Sequence, residues 1–153
     1  MRIHKANYLA LFMAGLFLAP SDREEMDRIE AGRDPVDVLT ASAGDPTIHA
    51  ITDYRGNVLA VGGHQGGLIW FVHTTYAESL SPKDRRRMLG LLRGHLQAIK
   101  QQAMRDKPMD EYHFTNIVSV ENRPHLKLLS HLGATWEDQP FIHNGAQFKQ
   151  FYF

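Results

Sequence analysis

Apolar and polar positions divide the middle of the chain into a buried strand and a long amphipathic helix. Residues 68–72, Leu-Ile-Trp-Phe-Val, are continuously apolar, as is typical of a central strand that is buried on both faces. Ser81 is a good N-cap, Pro82 suits the first helical position and Asp84 completes a capping-box-like spacing, so a helix is predicted to begin there. Its inward stripe then recurs at helical spacing: Met88, Leu89, Leu92, Leu96 and Ile99.

The first third of the chain predicts a strand followed by two helices. Residues 2–6 suit a short strand, and one helix follows through Ala19. Ser21 and Glu24 have the spacing of a capping box, which predicts a second helix over 21–31, with Pro35 beyond its end. Residues 47–61 then predict two strands around a turn-rich loop.

The last third predicts a strand, a short helix and a hairpin. Residues 112–120 alternate as a strand does, and Asn122 caps a helix over 124–132 that Gly133 ends. Strands over 134–142 and 147–153 flank an Asn-Gly turn at Asn144, with Pro140 making the first of them irregular or an edge. This order of elements predicts a mixed α/β (α+β) fold with a mainly antiparallel sheet flanked by helices.

Composition narrows the class of protein. At 153 residues the chain is most simply one domain, residues 1–153. The formal net charge of zero argues against a dedicated nucleic-acid surface, and no specific nucleic-acid site is predicted. The absence of cysteine excludes disulfides, thiolate metal sites and a cysteine nucleophile.

The apolar run from Tyr8 to Ala19 follows Arg2 and Lys5 and so imitates a secretory signal. It is too short to span a bilayer as a helix, and Pro20 with its polar neighbours offers no good cleavage site. A buried amphipathic or core helix is the favoured interpretation, with a signal or interfacial anchor as the alternative. Membrane contact, if the protein makes any, is expected only through this run.

The nine histidines do not show the spacing of metal ligands. His125 and His131 are six residues apart on one short helix and therefore face different sides, and His95 stands alone on the long helix. No metal site is predicted. Thr74, near His73, lacks the strained turn that frames a nucleophile, as do the neighbouring serines, and no catalytic residue is assigned.

A basic group, Lys83, Arg85, Arg86 and Arg87, opens the long helix. The planar guanidinium of arginine suits a pyrophosphate, a nucleic-acid backbone or an acidic partner protein. The alternative is that these side chains have no binding role and lie on a solvated helix face. Cations are unfavourable at a helix amino terminus unless something anionic compensates them. The aromatic residues of the closing strands are mostly core, with an interface as the alternative.

The carboxyl half resembles a known fold family. The pattern Asn122, His125, Leu129, Gly133 resembles the spacing near the end of the GNAT fold of N-acetyltransferases, in which two strands splay apart to admit acetyl-CoA. Three longer segments, residues 59–72, 80–87 and 118–136, resemble the internal virion protein A family of the T-seven-like short-tailed bacteriophages. The resemblance implies a single GNAT-like domain.

Two departures from the enzyme pattern follow from this resemblance. GNAT enzymes hold the cofactor's pyrophosphate on a glycine-containing loop, which here falls on residues 78–83 and contains no glycine. Pro82 removes one N–H donor there and Glu78 adds negative charge, which weakens an anion site. The tyrosine that protonates the departing thiolate in the enzymes falls on Leu129, which has no proton to donate.

The resemblance therefore implies a catalytically silent structural protein of a phage virion, located near the internal core or portal and made in the host cytoplasm. It would act in assembly or genome ejection, contact other virion proteins and need no cofactor. The alternative is an N-acetyltransferase that holds acetyl-CoA through an unusual loop, with the four basic residues on the phosphates. A third, a host-takeover effector, would bind a bacterial protein.

Overall fold

The computed structural model describes residues 1–106 and 114–153 and shows a mixed sheet with helices on both faces. The strands are β1 Arg2–Lys5, β2 His49–Thr52, β3 Val58–Gln65, β4 Leu68–His73, β5 Thr115–Ser119, β6 Thr135–Trp136, β7 Phe141–His143 and β8 Ala146–Tyr152. The helices are α1 Tyr8–Leu16, α2 Pro20–Ile29, α3 Pro35–Thr40, α4 Thr75–Glu78, α5 Pro82–Asp106 and α6 Arg123–Leu132.

The strands of the described residues lie in one sheet in the order β1-β2-β3-β4-β5-β8-β6, and β7 also pairs with β8. Every pairing is antiparallel except that of β4 with β5. The expected mainly antiparallel α/β sheet is therefore confirmed. Because a parallel pair needs a crossover connection, the long helix α5 lies between β4 and β5 in the chain.

Apolar clusters cover both faces of the sheet. On one face, α1 and α3 pack on β2 and β3 through a cluster that includes Leu11, Leu39 and Val61. On the other, α5 and α6 pack on β4, β5 and β8 through a cluster that includes Leu96, Leu129 and Phe151. The predicted inward stripe of α5 is confirmed, since Leu96 is buried in the second cluster and Met88 in a third that it forms with Leu59 of β3.

The amino-terminal helices differ from the prediction at their ends. Helix α2 begins at Pro20 with Ala19 as its N-cap, so the predicted capping box at Ser21 is wrong. Pro35 does not end a helix but begins α3, which the sequence analysis missed, with Asp34 as its N-cap. A proline is favourable at the first position of a helix because no N–H is needed there, and both helices use this.

The apolar run from Tyr8 to Ala19 forms α1 and the turn after it, and one side of α1 is a core surface. Ala10, Leu11 and Ala14 are buried, whereas Tyr8, Leu9 and Leu16 are exposed. Within residues 1–106 and 114–153, no helix is both long and apolar enough to cross a membrane.

The carboxyl-terminal elements follow the prediction closely. Asn122 caps α6 by accepting a hydrogen bond from the backbone N–H of His125, and Gly133 ends the helix in the left-handed conformation. The Asn-Gly turn joins β7 and β8, with φ of 48° at Asn144 and 78° at Gly145. The strand predicted over 134–142 is instead two short strands, β6 and β7, which lie on either side of Pro140. The beginning of the strand predicted from residue 112 lies outside the described residues.

Gly15 sets how closely α1 approaches α3. A Cβ at this position would lie 2.6 Å from the Val36 Cα and 2.9 Å from the Pro35 carbonyl oxygen, and both are backbone atoms that cannot move aside alone. We expect Gly15→Ala to lower the free energy of unfolding by about 2 kcal/mol, since overpacking forces the helices apart. Urea denaturation monitored by circular dichroism measures this loss.

Gly90→Ala is the matched control, because a Cβ there meets no atom within 4 Å and the residue lies inside α5. Replacing a solvent-facing helical glycine should raise stability by about 1 kcal/mol. Equal effects of the two substitutions would contradict this account of the contact between α1 and α3.

Candidate functional site

The candidate site lies where β4 and β5 separate. Of the described residues, Leu68 and Thr115 form the register pair between these strands. One residue further along each strand, the side-chain amide of Asn116 donates to the carbonyl oxygen of Ile69 at 2.9 Å. Towards their carboxyl ends, at His73 and Ser119, the strands have no register pair with each other, and clefts lie on both faces of the gap.

Two carboxylates of α2 occupy the gap and accept hydrogen bonds from both strands. Asp22 Oδ2 accepts from the backbone N–H of His73 at 2.8 Å, and its Oδ1 accepts from the side-chain amide of Asn122 at 3.0 Å. Glu25 Oε2 accepts from the backbone N–H of Ser119 at 2.9 Å. Since Asp22 and Glu25 are three residues apart, they share one face of α2. Because the strands diverge, these backbone N–H groups cannot bond to the neighbouring strand, and the two carboxylates accept their hydrogen bonds instead.

Asp22 and His73 form a buried ion pair, with His73 Nδ1 2.7 Å from Asp22 Oδ2. Burial alone would raise the pKa of Asp22, but the hydrogen bond and charge of His73, together with the charge of His125, hold that pKa below its ordinary value. Burial alone would lower the pKa of His73, but the hydrogen bond and charge of Asp22 and the nearby Glu78 raise it above its ordinary value. Each member therefore favours the charged form of the other.

The imidazole of His125 lies beside this pair without a hydrogen bond among the described residues. Its side chain is buried, and neither ring nitrogen has a hydrogen-bond partner among the described residues. Nδ1 is 3.4 Å from Glu25 Oε1 and 3.9 Å from Asp22 Oδ1, but the geometry does not make a hydrogen bond. The imidazole packs edge-on against Phe71, with ring centroids 4.5 Å apart. A buried polar side chain in this state is unusual in a folded protein.

Two clefts meet at His125, one on each side of the sheet. The α2 cleft has an open volume of about 930 Å³ and is lined by α2, α3, β4 and β5, with Asp22, Glu25 and Trp70 in its wall. The α5 cleft is lined by β4, α5 and α6, with His73, Glu78 and Arg85 among its polar side chains. Phe71 and His125 line both.

The structure separates the predicted basic group into two parts. Arg85 turns back over the junction between α4 and α5, where Nε donates to the Leu80 carbonyl oxygen at 3.0 Å and Nη2 to that of Glu78 at 2.5 Å. Lys83, Arg86 and Arg87 are exposed on the surface of α5. Only Arg85 therefore lies in the wall of a cleft.

The start of α5 is capped as predicted. Ser81 Oγ accepts a hydrogen bond from the backbone N–H of Asp84 at 3.1 Å and donates one to Asp84 Oδ2 at 2.7 Å. Pro82 has no N–H to offer. In the first turn, Pro82 and Asp84 thus have no free backbone N–H for an anion, and the Asp84 carboxylate lies beside them.

The position of the tyrosine in the GNAT pattern is occupied by a core residue. Leu129 is fully buried in the cluster that joins α6 to β5 and β8. It packs in the same cluster as Val118 and Phe151. It has no acidic hydrogen and cannot act as a general acid.

Three histidines that are far apart in the sequence lie together between the sheet and α5, away from this candidate site. His49, His64 and His95 line one apolar pocket, and the His49 and His95 rings lie 4.4 Å apart. Burial lowers the pKa of His64 and of His95, so both favour the neutral form. Within the described ranges, no group of three or more histidine, aspartate or glutamate side chains is arranged to hold a metal ion.

The sequence analysis missed the cluster of Asp22, Glu25, His73 and His125. A signal for it was present in α2, where residues 22, 25, 26 and 29 share one face. Met26 and Ile29 identify this as the buried face, so two carboxylates on it are conspicuous. Their partners are distant in the chain, and the sequence does not reveal them.

Comparison with known proteins gives one family and one fold. A family model described as "Bacteriophage T7, probable scaffold protein Gp13" matches residues 49–140 of the chain. A search of curated proteins finds no significant match.

Several solved structures that resemble the chain are acetyltransferases. The GNAT domain of PAT from S. lividans aligns with a TM-score of 0.65 at 12% identity over 99% of this chain and 90% of that one. An acetyltransferase of the GNAT family from Bacillus anthracis aligns with a TM-score of 0.59 at 14% identity, over 98% and 90%. A spermidine N-acetyltransferase variant from Vibrio cholerae gives 0.60 at 12%, over 99% and 94%. The fold is the GNAT fold, and at these identities the likeness extends to the fold alone.

Removing the carboxylate of Asp22 should destabilise the protein in a manner that depends on pH. We expect Asp22→Asn to lower the free energy of unfolding by about 3 kcal/mol near pH 6, because buried His73 loses its counter-ion. The contribution of Asp22, whose pKa is lowered from 3.8, disappears as the pH falls through its folded-state value. That of His73, whose pKa is raised from 6.5, disappears as the pH rises through its folded-state value.

Urea denaturation of the unaltered protein and of Asp22→Asn from pH 3 to pH 9 measures this. The difference in free energy of unfolding should be largest between pH 3.8 and pH 6.5. Glu24→Gln is the matched control, since Glu24 lies on the same helix with its side chain 64% exposed. Its effect should stay below about 0.5 kcal/mol. Equal losses from the two variants across this range would refute the proposed coupling across the gap.

Proposed function

The chain belongs to the family of the bacteriophage T7 probable scaffold protein Gp13, and from this we propose that it is a catalytically silent structural protein of a short-tailed phage. It is an internal virion protein of the virion protein A type, located near the core or portal and active in assembly or genome ejection. It is made in the host cytoplasm before packaging. The family description, a scaffold protein of a phage, supports a role alongside other phage structural proteins.

The observation that best supports catalytic silence is that the first turn of α5 has few free backbone N–H groups with which to bind an anion. A phosphate site at a helix terminus needs free backbone N–H groups that point at the anion. Here Ser81 uses the N–H of Asp84, Pro82 has none, and the Asp84 carboxylate would repel a phosphate. The guanidinium of Arg85 is already bound to the carbonyl oxygens of Glu78 and Leu80. A pyrophosphate would have to displace these contacts.

Two further features support the same proposal. Leu129 is buried where the enzymes of this fold have a proton-donating tyrosine. The strand ends that face the gap give the N–H groups of His73 and Ser119 to carboxylates of the protein itself. The cleft between the splayed strands is therefore bridged by the chain's own side chains, as a scaffold requires and a cofactor site does not.

The proposed contacts with other virion proteins use two exposed surfaces. One is the basic surface of α5 made by Lys83, Arg86 and Arg87, which suits an acidic partner. The other is β7, at the end of the sheet, where Ile142 is 64% and Phe141 39% exposed. Exposed apolar side chains on a short terminal strand are suited to burial in an assembly.

The second candidate is an N-acetyltransferase that uses acetyl-CoA. The gap between β4 and β5, on a GNAT fold, is the observation that favours it. In that case Lys83, Arg86 and Arg87 would hold the phosphates by charge, without the usual backbone loop. Arg85 would first have to leave its carbonyl partners.

Binding of acetyl-CoA separates the two candidates. A specific ligand at about a hundred times its dissociation constant adds roughly 2.7 kcal/mol to stability, which for this chain length is about 5 to 10 °C in melting temperature. We expect no shift in melting temperature with excess acetyl-CoA, because Pro82 has no N–H and the N–H of Asp84 is already bonded to Ser81. Differential scanning fluorimetry measures it, with a phosphate-free pantetheine analogue as the matched ligand control.

A shift that requires the phosphates, together with acetyl transfer to amines that disappears in Arg86→Ala, would establish the enzyme instead. Arg33→Ala serves as the control variant, since Arg33 is an arginine on the opposite side of the sheet, in the wall of the α2 cleft.

Location separates the structural protein from a host-takeover effector that binds a bacterial protein. We expect the chain to copurify with phage particles after DNase treatment and density banding, because a structural protein remains in the particle. Quantitative mass spectrometry of the band gives the amount per particle. Presence in the infected cell but absence from banded particles would contradict a virion role.

A further inference from the structure

A pocket between the sheet and α5 has walls that are apolar except for three imidazoles. Ala60 and Gly62 are two residues apart on β3, so they share the face towards α5 and form part of the floor of the pocket. A Cβ on Gly62 would lie 2.6 Å from the Phe71 Cβ and 2.7 Å from the Trp70 carbonyl oxygen, so this position excludes a side chain. The small residues of β3 therefore leave open space beneath α5.

This histidine pocket, named for His49, His64 and His95 in its wall, lies further along α5 than the α5 cleft does. Phe71 and Leu92 line both spaces, but none of the polar side chains that line the α5 cleft lines the histidine pocket. Its open volume is about 580 Å³, including solvent at the mouth. Such a volume suits a ligand of one ring better than a large cofactor.

The three imidazoles have hydrogen-bonding atoms available for a ligand. His49 Nδ1 lies 3.0 Å from the Thr47 carbonyl oxygen and donates to it, which leaves Nε2 of the same ring as an acceptor. The ring nitrogens of His64 and His95 make no hydrogen bond among the described residues. A neutral imidazole has one donor and one acceptor. A hydroxyl group both donates and accepts, so it matches these rings.

The charge state of the histidine pocket favours an uncharged ligand. Burial lowers the pKa of His64 and of His95, so both rings favour the neutral form. Among the described residues that line the pocket there is no lysine, arginine, aspartate or glutamate. Asp45 influences His64 by its charge but is not part of the wall. Because a buried charge without a partner is costly, an ammonium or a carboxylate on the ligand is disfavoured.

Aromatic rings form much of the remaining wall. The His49 and His95 rings lie 4.4 Å apart, and Trp70, Phe71 and Phe153 also line the pocket. A flat aromatic ligand makes edge-to-face contacts with such side chains. We infer that the histidine pocket binds a phenol group, with its hydroxyl hydrogen-bonded to the imidazoles and its ring between α5 and the sheet. The phenol belongs either to a small free molecule or to a tyrosine side chain of another polypeptide. This site goes beyond the proposed function, which does not require it.

Titration of four probes followed by NMR of the histidine rings tests this site. The probes are p-cresol, toluene, p-toluate and a capped glycine-tyrosine-glycine amide. We expect p-cresol to shift the ring signals of His49 and His95 and to bind roughly fivefold more tightly than toluene, because its hydroxyl adds a hydrogen bond. The charged p-toluate should leave the signals unchanged. In His49→Phe, which keeps a planar ring without nitrogen, p-cresol and toluene should bind equally.

His131→Phe is the matched control, because His131 is an exposed histidine of α6 outside the pocket and its loss should leave the preference for p-cresol intact. His95→Phe provides a second test if His49→Phe does not fold. Shifts from the tyrosine peptide as well as p-cresol would assign the phenol to a polypeptide, and shifts from p-cresol alone would assign it to a small molecule. Equal affinities for p-cresol and toluene in the unaltered protein, or a preference that survives in both pocket variants, would overturn the site.

Discussion

The structure depends on two carboxylates that hold together strands which no longer pair. Beyond Leu68 and Thr115 no register pair joins β4 and β5, and an open gap in a sheet leaves backbone N–H groups without partners. Asp22 and Glu25 supply the acceptors from α2, and His73 stabilises the charge of Asp22. Helix α2 is thereby fixed to both halves of the sheet, and its inner face forms one wall of the α2 cleft.

Local patterns in the sequence were sufficient for most of the strands and the longer helices but not for this arrangement. The cap of α5 at Ser81, the left-handed turn at Asn144 and the strand at 68–72 each depend on neighbouring residues, and all are found. The prediction that this strand is buried on both faces is wrong, since Leu68 is 54% exposed and most of the strand is only partly buried. The bridge between Asp22 and Asn122 joins residues a hundred positions apart, so no local pattern contains it. The missed helix α3 is short, and its beginning at Pro35 is equally consistent with the end of the preceding helix.

The same fold can support chemistry or architecture, and the difference lies in a few contacts. The GNAT scaffold supplies a gap between parallel strands regardless of what fills it. Here the side chains that fill it are carboxylates and imidazoles of the protein itself, and Leu129 is fully buried in the apolar core beside them. Such a gap is stabilised from within, and Glu25 and His125 line the α2 cleft beside it.

The single register pair between β4 and β5 also has a consequence for how the molecule opens. Native proteins unfold locally in cooperative segments, whose limits follow lines of sparse hydrogen bonding. The gap is such a line, and it separates the hairpin strands β1–β4 from a unit made of β5, α6 and β6–β8. Opening along the gap also separates Ile69 of β4 from Leu129 and Phe151, which share one apolar cluster, so its free-energy cost includes this packing as well as the hydrogen bonds of Asp22 and Glu25. The gap is therefore the line along which hydrogen bonds between the two parts of the sheet are fewest.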